Sequence, residues 1–116
     1  MWRRRRGAND ATVKQYVTLM GKYNPRGRLT DGLNFYGFAK ADTFVRAMYK
    51  AGKNPTRAGL MKALLSFDET SPYLLPGSRL KSSATDHFII SHQQMERFGD
   101  GKWTLSGKLV DGRPRG

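Results

Sequence analysis

The strongest constraint on the fold of this chain is one continuous stretch, residues 34–65. Its first part repeats apolar residues at the spacing of one helical face, and a second amphipathic pattern follows after Ala51-Gly52-Lys53-Asn54-Pro55. Glycine ends helices well because it adopts the left-handed conformation, and proline suits the first turn of the next helix. The stretch therefore predicts two consecutive helices with a tight connection, near residues 31–51 and 55–66.

A third helix is predicted upstream, near residues 10–23. Asn9 or Asp10 can cap it, because a short polar side chain can accept hydrogen bonds from the exposed amides of the first turn. Asp31 can cap the second helix in the same way, and Asn54 the last one, with Pro55 at its first position. The predicted apolar face of the first helix consists of Val13, Tyr16, Val17, Met20 and Tyr23.

The two later helices also have predicted apolar faces. Asp42 and Arg46 lie one turn apart in the second helix, so they can form an ion pair. The predicted face of that helix consists of Phe35, Phe38, Ala41 or Asp42, Val45 and Met48, and that of the last helix of Leu60, Met61, Leu64 and Leu65.

The pattern changes after the helices. Residues 67–85 contain prolines, glycine and several serines, which predicts an irregular connection. Residues 87–95 predict a strand, Gly99-Asp100-Gly101 is a hairpin turn signal, and a return strand begins at Lys102. The predicted fold class is therefore α/β, with about three helices followed by a C-terminal β-hairpin.

Composition divides the chain into a central segment and two ends. The 116 residues carry a formal net charge of +12, and four consecutive arginines at positions 3–6 contribute a third of it. Terminal segments of this kind are usually poorly ordered. We expect a disordered basic tail at residues 1–9, one folded segment at residues 10–110 and a frayed end at residues 111–116.

Nothing in the sequence indicates an enzyme, a metal site or a cofactor. The absence of cysteine excludes disulfides, thiolate metal ligands and cysteine nucleophiles. His87 and His92 are five residues apart, so on one strand they would face opposite sides and could not readily chelate one metal. Asp68 and Glu69 are adjacent, which is typical of a solvated acidic cluster rather than of two converging catalytic carboxylates.

The amino-acid sequence of the central stretch resembles that of a known family. The chain looks like the C-terminal part of type I periplasmic solute-binding proteins of the branched-chain amino-acid (leucine-binding) class, which serve ABC transporters. The resemblance covers roughly residues 13–105, and it depends on the order of elements rather than on one diagnostic motif. The segments that carry it are Phe35-Tyr36-Gly37-Phe38-Ala39-Lys40-Ala41-Asp42, Phe44-Val45-Arg46-Ala47-Met48-Tyr49-Lys50-Ala51-Gly52 and residues 56–65.

This resemblance implies a function that composition does not suggest. Family members have two α/β lobes that close around a solute, so this chain would be a fragment of a longer periplasmic protein, with the export signal on sequence absent here. The implied partners are a branched-chain amino acid or similar small solute and an ABC permease. The start of the second helix lies near the cleft in the family, so Phe35 or Tyr36 matches the position of an aromatic residue that contacts the ligand.

Two other interpretations remain open. A small basic protein could bind nucleic acid through phosphate contacts, but only the charge supports this, and no aromatic stacking platform accompanies residues 3–6. The chain could also be a truncated product with no independent function. In a fragment, helix faces made to cover a missing sheet would stay exposed, so we also expect possible self-association.

Overall fold

The computed structural model describes residues 9–113 and confirms the predicted fold class. It is a mixed α and β chain with three helices followed by a C-terminal antiparallel hairpin. The basic tail at residues 1–9, apart from Asn9, and residues 114–116 of the expected frayed end lie outside the described residues. The elements are α1 (Ala11–Tyr23), α2 (Gly32–Ala51), α3 (Arg57–Leu64), β1 (Asp68–Glu69), β2 (Leu80–Lys81), β3 (His92–Gly99) and β4 (Lys102–Asp111).

Side-chain caps fix the starts of α1 and α2 as predicted. Asp10 Oδ1 accepts hydrogen bonds from the amides of Thr12 and Val13, at 2.8 and 3.2 Å. Asp31 Oδ1 accepts from the amide of Leu33 at 2.9 Å. Each carboxylate satisfies amides that have no partner inside the helix, so both helices begin directly after their aspartate.

The predicted start of α3 is wrong. Thr56, not Asn54, is the cap, because its Oγ1 accepts a hydrogen bond from the amide of Gly59 at 3.0 Å. Pro55 precedes this cap and lies outside the helix, which begins at Arg57 and ends at Leu64. A threonine hydroxyl that reaches the amide three residues on makes a regular N-cap, so it determines the boundary here.

Gly52 ends α2 as the sequence predicts. Its φ is +89°, a conformation that costs glycine little and other residues more. Its amide donates to the carbonyls of Met48 and Tyr49, both at 3.2 Å. These bonds satisfy carbonyl groups that the last helical turn leaves open, so the chain turns sharply towards α3.

Two separate buried clusters hold the described part of the chain together. The first joins α1 to α2 through Val13, Tyr16, Met20 and Phe35, with the rings of Tyr16 and Phe35 edge to face at 5.4 Å. The second joins α2 to the short β1–β2 ladder and consists of Ala47, Phe67 and Leu80, with Leu60, Leu64, Leu74 and Ile89 packed against it. α2 contributes to both clusters and so connects them.

The buried face of α2 differs in part from the predicted one. Phe35 is buried and Phe38 packs on the first cluster, but Val45 is half exposed. Ala39 and Ala47, whose small side chains are expected from the sequence to permit close approach of a neighbour, are buried. Small side chains at these two positions let neighbouring elements approach the helix closely. The predicted ion pair is present, with Arg46 Nε 2.7 Å from Asp42 Oδ2.

The hairpin has the predicted turn but begins later than predicted. Asp100 and Gly101 both have positive φ, as a two-residue hairpin turn requires. β3 begins at His92, whereas residues 87–91, predicted as strand, are irregular. The amide of Phe88 donates to Asp86 and its carbonyl accepts from Arg113, and these hydrogen bonds hold the backbone there. Asp111, expected in the frayed end, closes β4 opposite His92.

The described helices include none that is long and apolar enough to span a membrane.

Candidate functional site

The two predicted ligand-contacting residues, Phe35 and Tyr36, have different environments. Phe35 is 8% exposed and packs between the rings of Tyr16 and Tyr73, with centroids 5.4 and 5.6 Å away. Consecutive helical residues point about 100° apart, so burial of Phe35 turns the next side chain sideways. Tyr36 is accordingly 52% exposed. Of the pair, Tyr36 is the residue that a ligand can reach.

Tyr36 lines an open groove of about 410 Å³, here named the Tyr36 groove. One side is α2, which contributes Tyr36, Ala39, Lys40, Thr43 and Phe44, and α3 contributes Leu64. The opposite wall is the irregular segment 87–90. The lining is mostly apolar, so the groove suits an aliphatic or aromatic group.

The wall of the groove is built around one inward-facing residue. Ile89 packs against the second buried cluster, and its carbonyl accepts a hydrogen bond from the amide of Lys81 at 2.9 Å. Phe88 and Ile90, on either side, point outward and are 76% and 44% exposed. The alternation anchors the segment to the core while presenting two large apolar side chains to solvent.

Arg113 binds the residues of this wall and their neighbours through hydrogen bonds. Its Nε donates to Asp86 Oδ2 at 2.8 Å, and its Nη2 donates to the carbonyls of Lys81 and Phe88 at 2.8 and 3.3 Å. Asp86 Oδ1 in turn accepts from the amide of Phe88 at 3.0 Å. A planar guanidinium with several fixed donors suits such a junction, so Arg113 sets the position of the wall.

The electrostatics of the groove favour an apolar or anionic group over a cationic one. Lys40 Nζ lies 4.4 Å from the centre of the Tyr36 ring, a cation–π contact on one side of the groove. None of the residues that line the groove is acidic. The hydrogen bond from Arg113 lowers the pKa of Asp86, so this carboxylate stays ionised, but its charge is committed to the guanidinium.

The other polar residues considered in the sequence analysis, two histidines and two carboxylates, make contacts within the fold. His87 lies in the irregular segment and its Nε2 is 3.1 Å from the carbonyl of Ala84, whereas His92 begins β3. Asp68 pairs with Arg79 at 2.9 Å, and Glu69 Oε2 lies 3.9 Å from Arg46. Among residues 9–113, no group of three or more potential metal ligands comes together.

Sequence reasoning did not identify most of the groove. Phe44 and Lys40 lie on α2 outside its predicted face, and Arg113 was assigned to the frayed end. The apolar run Phe88-Ile89-Ile90 carried a usable signal, because three large apolar residues in a row cannot all face one core. Only long-range contacts reveal which of the three turns inward.

Comparisons with protein-family models, with curated proteins and with solved structures find no significant match to this chain.

Proposed function

We propose that this chain is the C-terminal part of the solute-binding component of an ABC transporter, whose parent protein binds branched-chain amino acids or similar small solutes in the periplasm. The proposal rests first on the sequence resemblance, which extends over residues 13–105. In the parent, closure of two lobes around the solute would be a hinge motion, and the closed form would be presented to the permease.

The observation that carries the proposal is the position of Tyr36. An aromatic side chain at the start of α2 is half exposed and faces an apolar groove, as contact with an aliphatic solute side chain would need. The groove is open on one side, whereas a solute site encloses most of its ligand. A second lobe in the parent would supply the missing side.

The groove lacks a partner for the positively charged end of an amino acid. Burying an α-ammonium or α-carboxylate without hydrogen-bond partners is strongly unfavourable. No acidic residue lines the Tyr36 groove to receive the ammonium group. We therefore expect this chain alone to bind leucine, isoleucine, valine or small amides no more tightly than about millimolar in calorimetry.

The test compares this chain with the protein encoded by the reading frame extended upstream of Met1. The extended protein should bind one of these solutes tightly, and Tyr36→Ala should weaken that binding by about tenfold or more. Tyr49→Ala is the matched control, because Tyr49 is an exposed tyrosine on α2 that does not line the groove. Micromolar binding by the isolated chain, or no binding by the extended protein, would contradict the proposal.

The nucleic-acid alternative has its own measurement. Phosphate contacts release counterions, so binding of DNA or RNA would weaken steeply as salt rises. The solute-binding proposal expects no saturable binding of either polymer at physiological salt. A saturable complex with a steep salt slope would favour the alternative instead.

A further inference from the structure

The C-terminal hairpin lies apart from both buried clusters. Neither cluster of the described chain contains a residue of β3 or β4. One hairpin face nevertheless carries Phe98, Trp103 and Leu105, each about half exposed, with the Phe98 and Trp103 rings 5.1 Å apart. An isolated two-stranded hairpin is only marginally stable in water, so this one would gain from further strands.

β4 has a free edge suited to such pairing. Within residues 9–113 it pairs only with β3, and Lys102 lies opposite Gly99 at the end of the two-residue turn. Backbone groups alternate in direction along an antiparallel strand, so those of Trp103 and Leu105 point to the free edge. Gly107, with φ +73°, follows the straight part of this edge, which spans residues 102–106.

Residues 102–106 complement themselves in antiparallel pairing. With Thr104 opposite Thr104 of a second copy, Trp103 lies opposite Leu105 and Lys102 opposite Ser106. Threonine pairs and aromatic–aliphatic pairs directly across strands are stabilising.

The neighbouring registers are worse. A twofold axis at Trp103 would set Leu105 opposite Gly101 in the turn, and an axis at Leu105 would bring Lys102 opposite Lys108. Like charges directly opposite each other are destabilising. The sequence of the edge therefore selects the register centred on Thr104.

The charge of the hairpin is compatible with a second copy of the chain as the partner that the self-complementary register selects. The chain as a whole carries +12, so contact between copies through most of its surface would be repulsive. The hairpin is the exception, because its three acidic and three basic side chains balance: Glu96, Asp100 and Asp111 against Arg97, Lys102 and Lys108. A neutral edge does not favour an acidic polymer, but it permits self-pairing.

We propose that two copies of this chain associate through the free edges of β4, with the twofold axis at Thr104, to form a four-stranded antiparallel sheet. The sheet joins the apolar faces of both hairpins into one continuous strip. This proposal is independent of the solute-binding function, since it uses none of the groove residues.

The first test is sedimentation equilibrium over a wide concentration range. Wild-type protein should show a monomer–dimer equilibrium, and Leu105→Lys should raise the dimer dissociation constant by about tenfold or more. Met95→Lys is the matched control. Met95 is also an exposed apolar residue of the hairpin, but it lies on β3 and pairs with Ser106, so this variant should dimerise like wild type.

The second test uses the absence of cysteine from the chain. The backbone N–H and C=O groups of Thr104 face β3. In the dimer, Thr104 and Thr104 of the second copy therefore form a non-hydrogen-bonded pair, with a Cα separation of about 4.5 Å. Disulfides span about 4.4–6.8 Å between Cα atoms. Thr104→Cys should therefore crosslink rapidly in oxidised glutathione, whereas Lys102→Cys, far from its own copy, should crosslink slowly.

Three outcomes would overturn the proposal. The first is wild-type protein that stays monomeric at every concentration. The second is a dimer whose affinity falls as much with Met95→Lys as with Leu105→Lys. A dimer that is weakened by Tyr49→Lys on α2, and not by Leu105→Lys, would count in the same way. The third is equal crosslinking at positions 102 and 104. Circular dichroism of each variant separates loss of pairing from loss of folding.

Discussion

Arg113 shows how one side chain positions a surface assembled from distant sequence. Its guanidinium joins the side chain of Asp86 to the carbonyls of Lys81 and Phe88, and it is 16% exposed. Hydrogen bonds that involve a charged group are stronger than neutral ones. Removing one partner destabilises the fold, because the other polar group is left without a hydrogen bond. The orientation of Phe88 in the groove wall therefore depends on a residue 25 positions away.

We expect acid to weaken this junction. Bonding to Arg113 lowers the pKa of Asp86, and bonding to Ser91 lowers that of Asp111, both from an ordinary value of 3.8. A lowered folded-state pKa contributes stability above the ordinary value, and this stability is lost as the pH falls through the folded pKa. The melting temperature, followed by circular dichroism from about pH 6 to about pH 2, should therefore fall below about pH 4.

Arg113→Gln should flatten part of that acid dependence, because the amide cannot hold an ionised Asp86 by charge. Arg97→Gln changes an exposed arginine on β3 in the same way and should leave the dependence intact. Parallel curves for wild type and Arg113→Gln would show that the junction does not control the acid response.

The site was predictable from sequence only in part. Periodicity placed Phe35 and Tyr36 on one helix, and the resemblance selected both, but a single sequence does not fix the rotational phase of the helix. The phase follows from Tyr16 and Tyr73, which pack on Phe35 from distant parts of the chain. The contacts of Arg113 are equally non-local, so a terminal arginine gave no signal of its role.

At the scale of elements, α2 organises the described chain. Its 20 residues contribute to both buried clusters and form one side of the Tyr36 groove. Two glycines of this region have very different conformations: Gly37 lies within the helix, whereas Gly52 follows its last residue and terminates it with positive φ. An added Cβ would meet no atom within 4 Å at either position.

Alanine substitution at these two glycines should therefore change stability in opposite directions. Gly37→Ala should stabilise the protein by about 0.5–1 kcal/mol, because alanine loses less backbone entropy in a helix. Gly52→Ala should destabilise it by about 1 kcal/mol, because a Cβ is strained at positive φ. Urea denaturation of the two variants measures both effects, and an increase in stability on Gly52→Ala would contradict the assignment of Gly52 as the helix terminator.

Element boundaries were predictable where the signal was local. The aspartate caps of α1 and α2 and the turn at Gly99-Asp100-Gly101 act within a few residues, and all three are present. The predicted start of α3 was wrong because Asn54 and Thr56 are both good caps. The choice between them depends on which side chain reaches the amides of the first turn. The predicted start of β3 was wrong because tertiary hydrogen bonds hold residues 87–91 out of the strand.

At the scale of the whole molecule, the part of the chain that the structure describes is thin for its length. Its extents are 49 × 43 × 19 Å, and its radius of gyration is 16.2 Å, against about 13–14 Å for a compact domain of this size. A thin chain keeps much apolar surface near solvent, and many large apolar side chains are indeed exposed, among them Leu33, Phe44, Tyr49 and Phe88. Of these four, Phe44 and Phe88 lie together in the Tyr36 groove, and exposed apolar patches are typical of interaction sites.

We therefore expect the native protein to bind a hydrophobic fluorescent dye, mainly in the Tyr36 groove. Phe88→Ser should lower the fluorescence of the bound dye, because it removes the most exposed apolar side chain of the groove wall. Leu33→Ser removes an equally exposed apolar side chain outside the groove and should have little effect. A native protein without dye fluorescence would show that its exposed apolar surface is too scattered to act as a site.

The junction at Arg113 also bears on the order in which the chain folds. Its hydrogen bonds close loops of 25, 27 and 32 residues, whereas the caps of the helices close loops of two or three. Long loops cost more entropy to close, and contacts between distant residues slow folding. We therefore expect the helix caps to form earlier in folding than the Arg113 junction, so that the groove wall takes its final position late, when the end of β4 docks.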